Sequence, residues 1–198
     1  MDFIQIDLMR HGEPQGGRRY RGQIDDPLSE KGWQQMRDAV GDRHPWQHIV
    51  SSPLLRCAEF AHELSERWDI PCSEDHRFME FAFGEWEGKT TQQLTVDDPD
   101  RILKFRLDPI RYRPAGAEAL DSFASRIASA WRDVLGLHQG KQVLLVAHAG
   151  VIRVILAQVL GMPLQNMYRI EVGNASISRV RVEPNEMLST LVFHDGRL

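Results

Sequence analysis

The chain alternates short apolar runs with longer segments in which apolar residues recur every three or four positions. The first run, Phe3 to Met9, ends abruptly in Arg10-His11-Gly12, as a buried strand does. Residues 10–26 are rich in Gly, Arg, Asp and Pro and predict a long loop. Ser29 is placed to cap a helix carrying Trp33, Met36 and Val40, and residues 46–50 predict a second strand. Ser52-Pro53 reads as an N-cap with proline at the first helical position, followed by Leu54, Ala58, Ala61 and Leu64 on one face. Residues 72–75 predict a short strand, and residues 76–89 a mixed aromatic and acidic loop. A weakly patterned helical segment over 91–106 is stopped by the breaker Arg111 to Gly116. Leu120, Phe123, Ile127, Trp131 and Val134 mark a clear helix. Val143 to Ala147 is apolar without alternation, the pattern of a strand buried on both faces, and a helix from about Gly150 to Leu160 follows it. Ile177, Val180 and Val182, then residues 188–193, predict two closing strands. Strands separated by helices imply an α/β fold, a three-layer α/β/α sandwich around a mostly parallel sheet. Trp33, Phe123 and Trp131 are expected in its core.

Composition narrows the function classes. A chain of 198 residues, 42% hydrophobic and 26% charged, can bury a full core as one domain. A formal net charge of −4 argues against a basic nucleic-acid-binding face. Two cysteines, Cys57 and Cys72, in a chain this long point to a reducing compartment and no bridge. Asp2 and Asp7 interrupt the first apolar run, which lacks the basic start of a signal peptide. His148, Arg153 and Gln158 break the longest apolar stretch, residues 143–160, so it does not read as a membrane span. A soluble cytoplasmic protein, without nucleic-acid or membrane partners, is the expectation.

Three unusual clusters follow the predicted strands: Arg10-His11-Gly12-Glu13, Ser51 to Arg56, and His148-Ala149-Gly150. In open α/β sheets, ligands bind beyond the carboxyl ends of the strands. Two arginines and two histidines delivered there suit an anion, because Arg10 and Arg56 can each bond phosphate oxygens bidentately. Arg56 would lie in the first turn of its helix, where free N–H groups also favour an anion. His11 is placed to attack phosphorus and form a phosphohistidine, splitting hydrolysis into two steps. The arginines and His148 would then hold the equatorial oxygens. A proton must reach the leaving alcohol. Glu80, between Met79 and Phe81, is a candidate donor, with Glu85 and Glu87 as alternatives on chemistry alone.

These clusters, together with Phe83-Gly84-Glu85-Trp86-Glu87-Gly88, resemble the histidine phosphatase superfamily in order and spacing, from Phe3 to about Val182. That family includes the cofactor-dependent phosphoglycerate mutases. The resemblance implies a single phosphoglycerate mutase-like domain over 1–198, with a helical cap at about 91–114. It implies His11 as the phosphorylated nucleophile, Arg10, Arg56 and His148 as the phosphate pocket, and Glu80 as proton donor. Gly22 and Gln23 are further substrate contacts on the same reading. No metal and no cofactor is called for, and the partner is a small-molecule phosphate ester. Gly17, Tyr20, Gly22, Asp25-Asp26-Pro27-Leu28 and Gly150-Val151-Ile152-Arg153 are similar to alpha-ribazole phosphatases, and broad sugar-phosphate phosphatases share them. Mutases carry asparagine where this chain has Gly17, and a longer insertion before the last helices, so the resemblance favours a phosphatase. Where many relatives read Gly-Gly-Glu-Ser, this chain has Gly116-Ala117-Glu118-Ala119, so a substrate contact from that serine is absent.

Plainer readings stand beside these. His11 and His148 could be satisfied structural histidines, and Arg56 could pair with Glu59 or Glu63 on a helix surface. Arg18, Arg19 and Arg21 form either a basic rim that attracts anions or a solvated loop. A metallohydrolase using His11, Glu13, Glu80 and His148 is disfavoured by the ligand spacing and by guanidinium groups beside the metal. A non-catalytic phosphate-binding protein is the remaining alternative.

Overall fold

The computed structural model describes residues 3–184 and 188–196; Asp2 lies outside them. The strands are β1 (Ile4–Arg10), β2 (His48–Ser51), β3 (Cys72–Glu74), β4 (Gln142–Ala147), β5 (Ile177–Val182) and β6 (Ser189–Gly196). They form one sheet in the order β3-β2-β4-β1-β5-β6. The first four run parallel, and β5 and β6 add an antiparallel edge. In register, Leu8 lies beside Leu145 on one flank of β1 and beside Ser178 on the other.

Alternation along the central strands builds two cores, because successive side chains point to opposite faces. Ile6, Leu8, Val143 and Leu145 meet α5 (Leu120–Leu137) and α6 (Ala149–Val159) through Phe123, Ile127, Trp131 and Ile155. Met9, Leu144 and Val146 meet α1 (Glu30–Val40) and α2 (Leu55–Trp68) through Met36, Phe60 and Leu64. Both faces are thereby covered, as the unalternating Val143–Ala147 run requires. Trp33 is the exception among the expected core residues: it is only half-buried, with Arg37 over its ring. Asp7 is fully buried in β1 yet satisfied, accepting from Trp46 Nε1 at 2.8 Å and from Arg179 at 2.7 and 3.0 Å.

Three local expectations change. The helix after β2 begins at Leu55, not Pro53, and Ser52 does not cap it. Ser52 extends the strand exit, donating its N–H to Val146 O, and its hydroxyl is engaged with His148. The helix start is instead held from outside, by Asp25 Oδ1 accepting the Leu55 N–H at 2.7 Å. The weak pattern over 91–106 resolves into two short helices, α3 (Thr91–Leu94) and α4 (Arg101–Leu107). Finally, Ala119 is the N-cap residue of α5, at φ −70° and ψ 138°, with no side-chain cap bond. A serine there would cap a helix rather than touch a substrate. No helix among the described residues is long and apolar enough to cross a membrane, and Cys57 and Cys72 are both free thiols.

Candidate active site

The adjacent strands β2, β4 and β1 end together, and backbone bonds tie their exits: His11 N–H to Ala147 O and Ser52 N–H to Val146 O, both at 3.0 Å. At this edge lies a cavity of about 410 Å³ whose walls include Arg10, His11, Gly22, Arg56 and Glu80. Five of the sequence-derived residues thus share one chamber. His148 and Gln23 are not on its walls. His148 is fully buried behind His11, with the two rings edge-on at 5.2 Å. Gln23 is exposed and braces the neighbouring loop, its amide reaching Glu80 O at 3.3 Å.

The tautomer of His11 follows from its neighbour. Its Nδ1 lies 2.7 Å from Gly12 O, and a carbonyl only accepts, so Nδ1 carries the proton and Nε2 keeps its lone pair. Burial, then the charges of Arg10 and Arg56, hold the imidazole pKa well below 6.5, so it is neutral. Gly12 makes the turn possible: a Cβ there would collide with the backbone of Gly32 at the start of α1. His148 is also neutral, through burial first and Arg56 next. Its Nε2 lies 2.7 Å from Ser52 Oγ, and Cys57 Sγ is 3.7 Å away. Burial pushes the Cys57 thiol pKa up, so it is protonated and unreactive.

The two pocket arginines are held by backbone carbonyls, not by carboxylates. Arg10 donates to Val172 O at 2.7 Å; Arg56 donates to Ile24 O and Gly22 O, each at 2.7 Å. Arg56 is 1% exposed, and Glu63 pairs with Arg37 instead, so the helix-surface reading fails. The Nε atoms of Arg10 and Arg56 are buried without any partner. Buried donors are almost always bonded, so these two guanidinium groups keep hydrogen-bonding capacity that the protein itself does not use. Burial and the nearby Arg153, Arg18 and Arg56, opposed by Glu80, bring the Arg10 pKa down to about 10.

Glu80 is fixed by two backbone donors: Phe81 N–H at 2.9 Å to Oε1 and Gly150 N–H at 3.1 Å to Oε2. Glycine at 150 leaves room for this approach, since a Cβ there would displace the Glu80 carboxylate. The two alternative acids stand elsewhere. Glu87 Oε1 accepts from Gln23 and Phe83 N–H groups, and Glu85 is exposed. Behind Glu80 sits Arg126, which sequence reasoning missed. It donates to Arg77 O, Met79 O and Glu80 O at 2.6 to 3.0 Å and pairs bidentately with Glu118. The basic rim also divides. All three line the chamber, but Arg21 is buried and committed to Asp26, Gln15 O and Gly17 O, while Arg18 and Arg19 have no carboxylate partner among the described residues. Arg153 and Asn174, unassigned from sequence, line it too.

The arrangement offers a neutral imidazole lone pair, guanidinium groups free of carboxylate partners and a carboxyl group around one cavity, which is what phosphoryl transfer through a phosphohistidine needs. Glu13 is drawn away to Lys31 at 2.8 Å, and no group of three or more His, Cys, Asp or Glu among the described residues is placed to hold a metal. The family model for the histidine phosphatase superfamily (branch 1) matches residues 6–194. The chain belongs to the histidine phosphatase superfamily. A probable phosphoglycerate mutase GpmB of Salmonella choleraesuis is 30% identical over 193 residues, 95% of this chain and 89% of that protein. The mycobacterial glucosyl-3-phosphoglycerate phosphatase structure is 28% identical, with a TM-score of 0.85 over 97% of this chain and 98% of that one. The alpha-ribazole phosphatase of Shigella flexneri, 24% identical, shares the fold with a TM-score of 0.81 over 98% and 96% of the two chains. This histidine phosphatase is therefore an enzyme of the phosphatase and mutase type, with a phosphoglycerate mutase-like fold.

Proposed function

We propose that the protein hydrolyses a small phosphomonoester through a phosphohistidine at His11, without a metal. The observation that carries this is the unprotonated Nε2 of His11 in a chamber walled by Arg10 and Arg56, guanidinium groups that bond backbone carbonyls and no carboxylate. The phosphate oxygens accept from Arg10 and Arg56, and His148 supports the His11 ring from behind, off the cavity surface. Nε2 attacks phosphorus as the ester P–O bond breaks, and the departing alkoxide takes a proton from the Glu80 carboxyl. Water then attacks the phosphohistidine, returns its proton to Glu80 and releases inorganic phosphate, leaving His11 neutral. Residues 91–114 act as the cap, with Phe105 packed on Phe83, Trp86 and Tyr168.

Hydrolysis is favoured over mutase chemistry because Gly17, at φ 73°, lines the chamber where mutases carry asparagine and so presents no amide. Gly22 contributes its carbonyl to Arg56, and Gln23 supports the Glu80 loop from outside. Alpha-ribazole 5′-phosphate stays as a second substrate reading, supported by an aromatic wall of Tyr20, Phe83, Phe105 and Tyr168 beside the chamber. The test is phosphate release from an aryl phosphate in excess chelator, wild type beside His11→Ala. Activity that survives chelation and vanishes in the folded variant supports the reading; activity lost to chelator, or kept by the variant, overturns it.

A further inference from the structure

The segment 170–173 joins a short helical turn (Leu164–Arg169) to β5 and belongs to no helix or strand. It is a strap on which two arginines of the chamber are hung. Arg153 donates Nε–H to Ile170 O at 2.9 Å, and Arg10 donates to Val172 O at 2.7 Å. No backbone N–H among the described residues bonds the carbonyls of Ile170, Glu171 or Val172. Side chains therefore set where these carbonyls aim, together with the burial of Val172 in the core. Ile170 is extended, at φ −92° and ψ 118°. In extended backbone successive residues face opposite ways, and the partners follow suit: Ile170 O and Val172 O meet the arginines of the site, and Glu171 O meets β6. Burial lowers the Arg10 pKa first, and the like charge of Arg153 lowers it further, so the strap holds two cations that repel each other.

The third anchor comes from β6. His194 Nε2 is bonded to Glu171 O, and a carbonyl only accepts, so Nε2 carries the proton. In the neutral ring Nδ1 then accepts from Ser178 Oγ at 2.8 Å, and Ser178, on β5, is buried. The imidazole thus spans from a buried hydroxyl to the strap. A β-bulge aims it there. Between the pairs Ile177–Gly196 and Arg179–Phe193, Ser178 alone stands opposite both His194 and Asp195. Asp195 absorbs the extra residue at φ 53°, a left-handed conformation uncommon outside glycine. Bulges of this kind re-aim side chains at sheet edges and beside active sites.

We infer that His194 is a positioning residue for phosphate binding: through Glu171 O it holds the strap so that Val172 O and Ile170 O keep Arg10 and Arg153 in place in the chamber wall. His194 itself stands off that wall and touches no reacting atom. The inference rests on the reading of Arg10 as a phosphate ligand given above.

The test reads the inhibition constant Ki of inorganic phosphate during turnover of an aryl phosphate, with calorimetric binding of phosphate beside it. His194→Phe keeps a ring and removes the donor, whereas His194→Gln places an amide N–H close to where Nε2 stood. His194 is half-buried on an edge strand, so both variants fold. Ki should rise about threefold to tenfold in His194→Phe, the worth of one net hydrogen bond, and stay within about twofold of wild type in His194→Gln. Ser178→Ala, which frees the ring to turn, should fall between them. A residue that merely stabilises the fold would lower kcat through the folded fraction and leave Ki unchanged. An unchanged Ki in His194→Phe, or equal losses in the Phe and Gln variants, would overturn the inference. If no ester is turned over, the hydrolytic reading falls, and the calorimetric Kd of phosphate for the same variants decides the positioning role by the same criteria. Phosphate that binds none of them, wild type included, overturns it.

Discussion

Replacing Arg126 by methionine should uncouple the proton donor from the rest of the site. The substitution removes the guanidinium that lies over the Phe123 ring and with it five hydrogen bonds: two to Glu118 and three to the carbonyls of Arg77, Met79 and Glu80. Breaking a fully buried ion pair from one side destabilises by about 3–5 kcal/mol, and an exposed pair is worth about 0–1 kcal/mol. The Arg126 and Glu118 side chains are 21% and 17% exposed, nearer the buried limit but reachable by water, so about 3 kcal/mol is expected with the carbonyls included. At about 2–4 °C per kcal/mol in a chain of this size, Tm should fall by about 6–12 °C. Below the transition, the loosened Glu80 should reveal itself through the leaving group. General acid catalysis contributes about 10²–10⁴-fold, so an alkyl phosphate should lose about tenfold or more in kcat/KM, which reports the phosphorylation step alone, while p-nitrophenyl phosphate, whose leaving group needs no proton, loses only a few-fold. Glu80→Gln should give the same leaving-group signature, since it removes the proton directly. The assay is paired turnover of both esters alongside thermal unfolding. A Tm within about 2 °C of wild type, or equal losses on both esters, would refute the bracing role.

Ala119→Ser should raise Tm by about 2–4 °C, because a serine at the uncapped start of α5 is worth about 1 kcal/mol; an unchanged Tm would contradict the N-cap reading. Acid should destabilise the fold through its buried neutral histidines. His138, stacked on His48 at 4.3 Å, has its pKa lowered to about 4 by burial and then by His48 and Lys141. The unfolded chain therefore takes up protons first as pH falls, so this contribution is complete above about pH 6.5 and is lost progressively toward pH 4. Thermal scans across that range should show His138→Phe with a shallower acid decline than wild type, and parallel declines would show that His138 is not responsible.

The strand ends were readable because each combines a periodicity signal with an abrupt chemical change. Val143–Ala147 breaking into His148, and Phe3–Met9 breaking into Arg10-His11, place both histidines correctly at one sheet edge. What escaped depends on contacts distant in sequence. Asp25 holding the start of α2 lies thirty residues away, which made Ser52-Pro53 look like the cap. Arg126 is an ordinary helical arginine until the fold brings it 46 residues back to Glu80. Arg153 resembles a polar break in an apolar helix, and only the closure of the 170–172 segment turns it into a chamber wall. The burial of His148 behind His11, off the cavity surface, likewise follows from packing between β2 and β4 that no local pattern encodes.

The covalent step at His11 is the claim from which the rest descends. Rapid acid-free quenching of wild type during turnover of an aryl phosphate, followed by peptide mass spectrometry, would find the phosphoryl group directly. The account predicts one added phosphoryl group on the peptide containing His11, stable to base and labile to acid, and its disappearance in His11→Ala together with turnover. Turnover without any adduct, or an adduct on another residue that persists in His11→Ala, would contradict it.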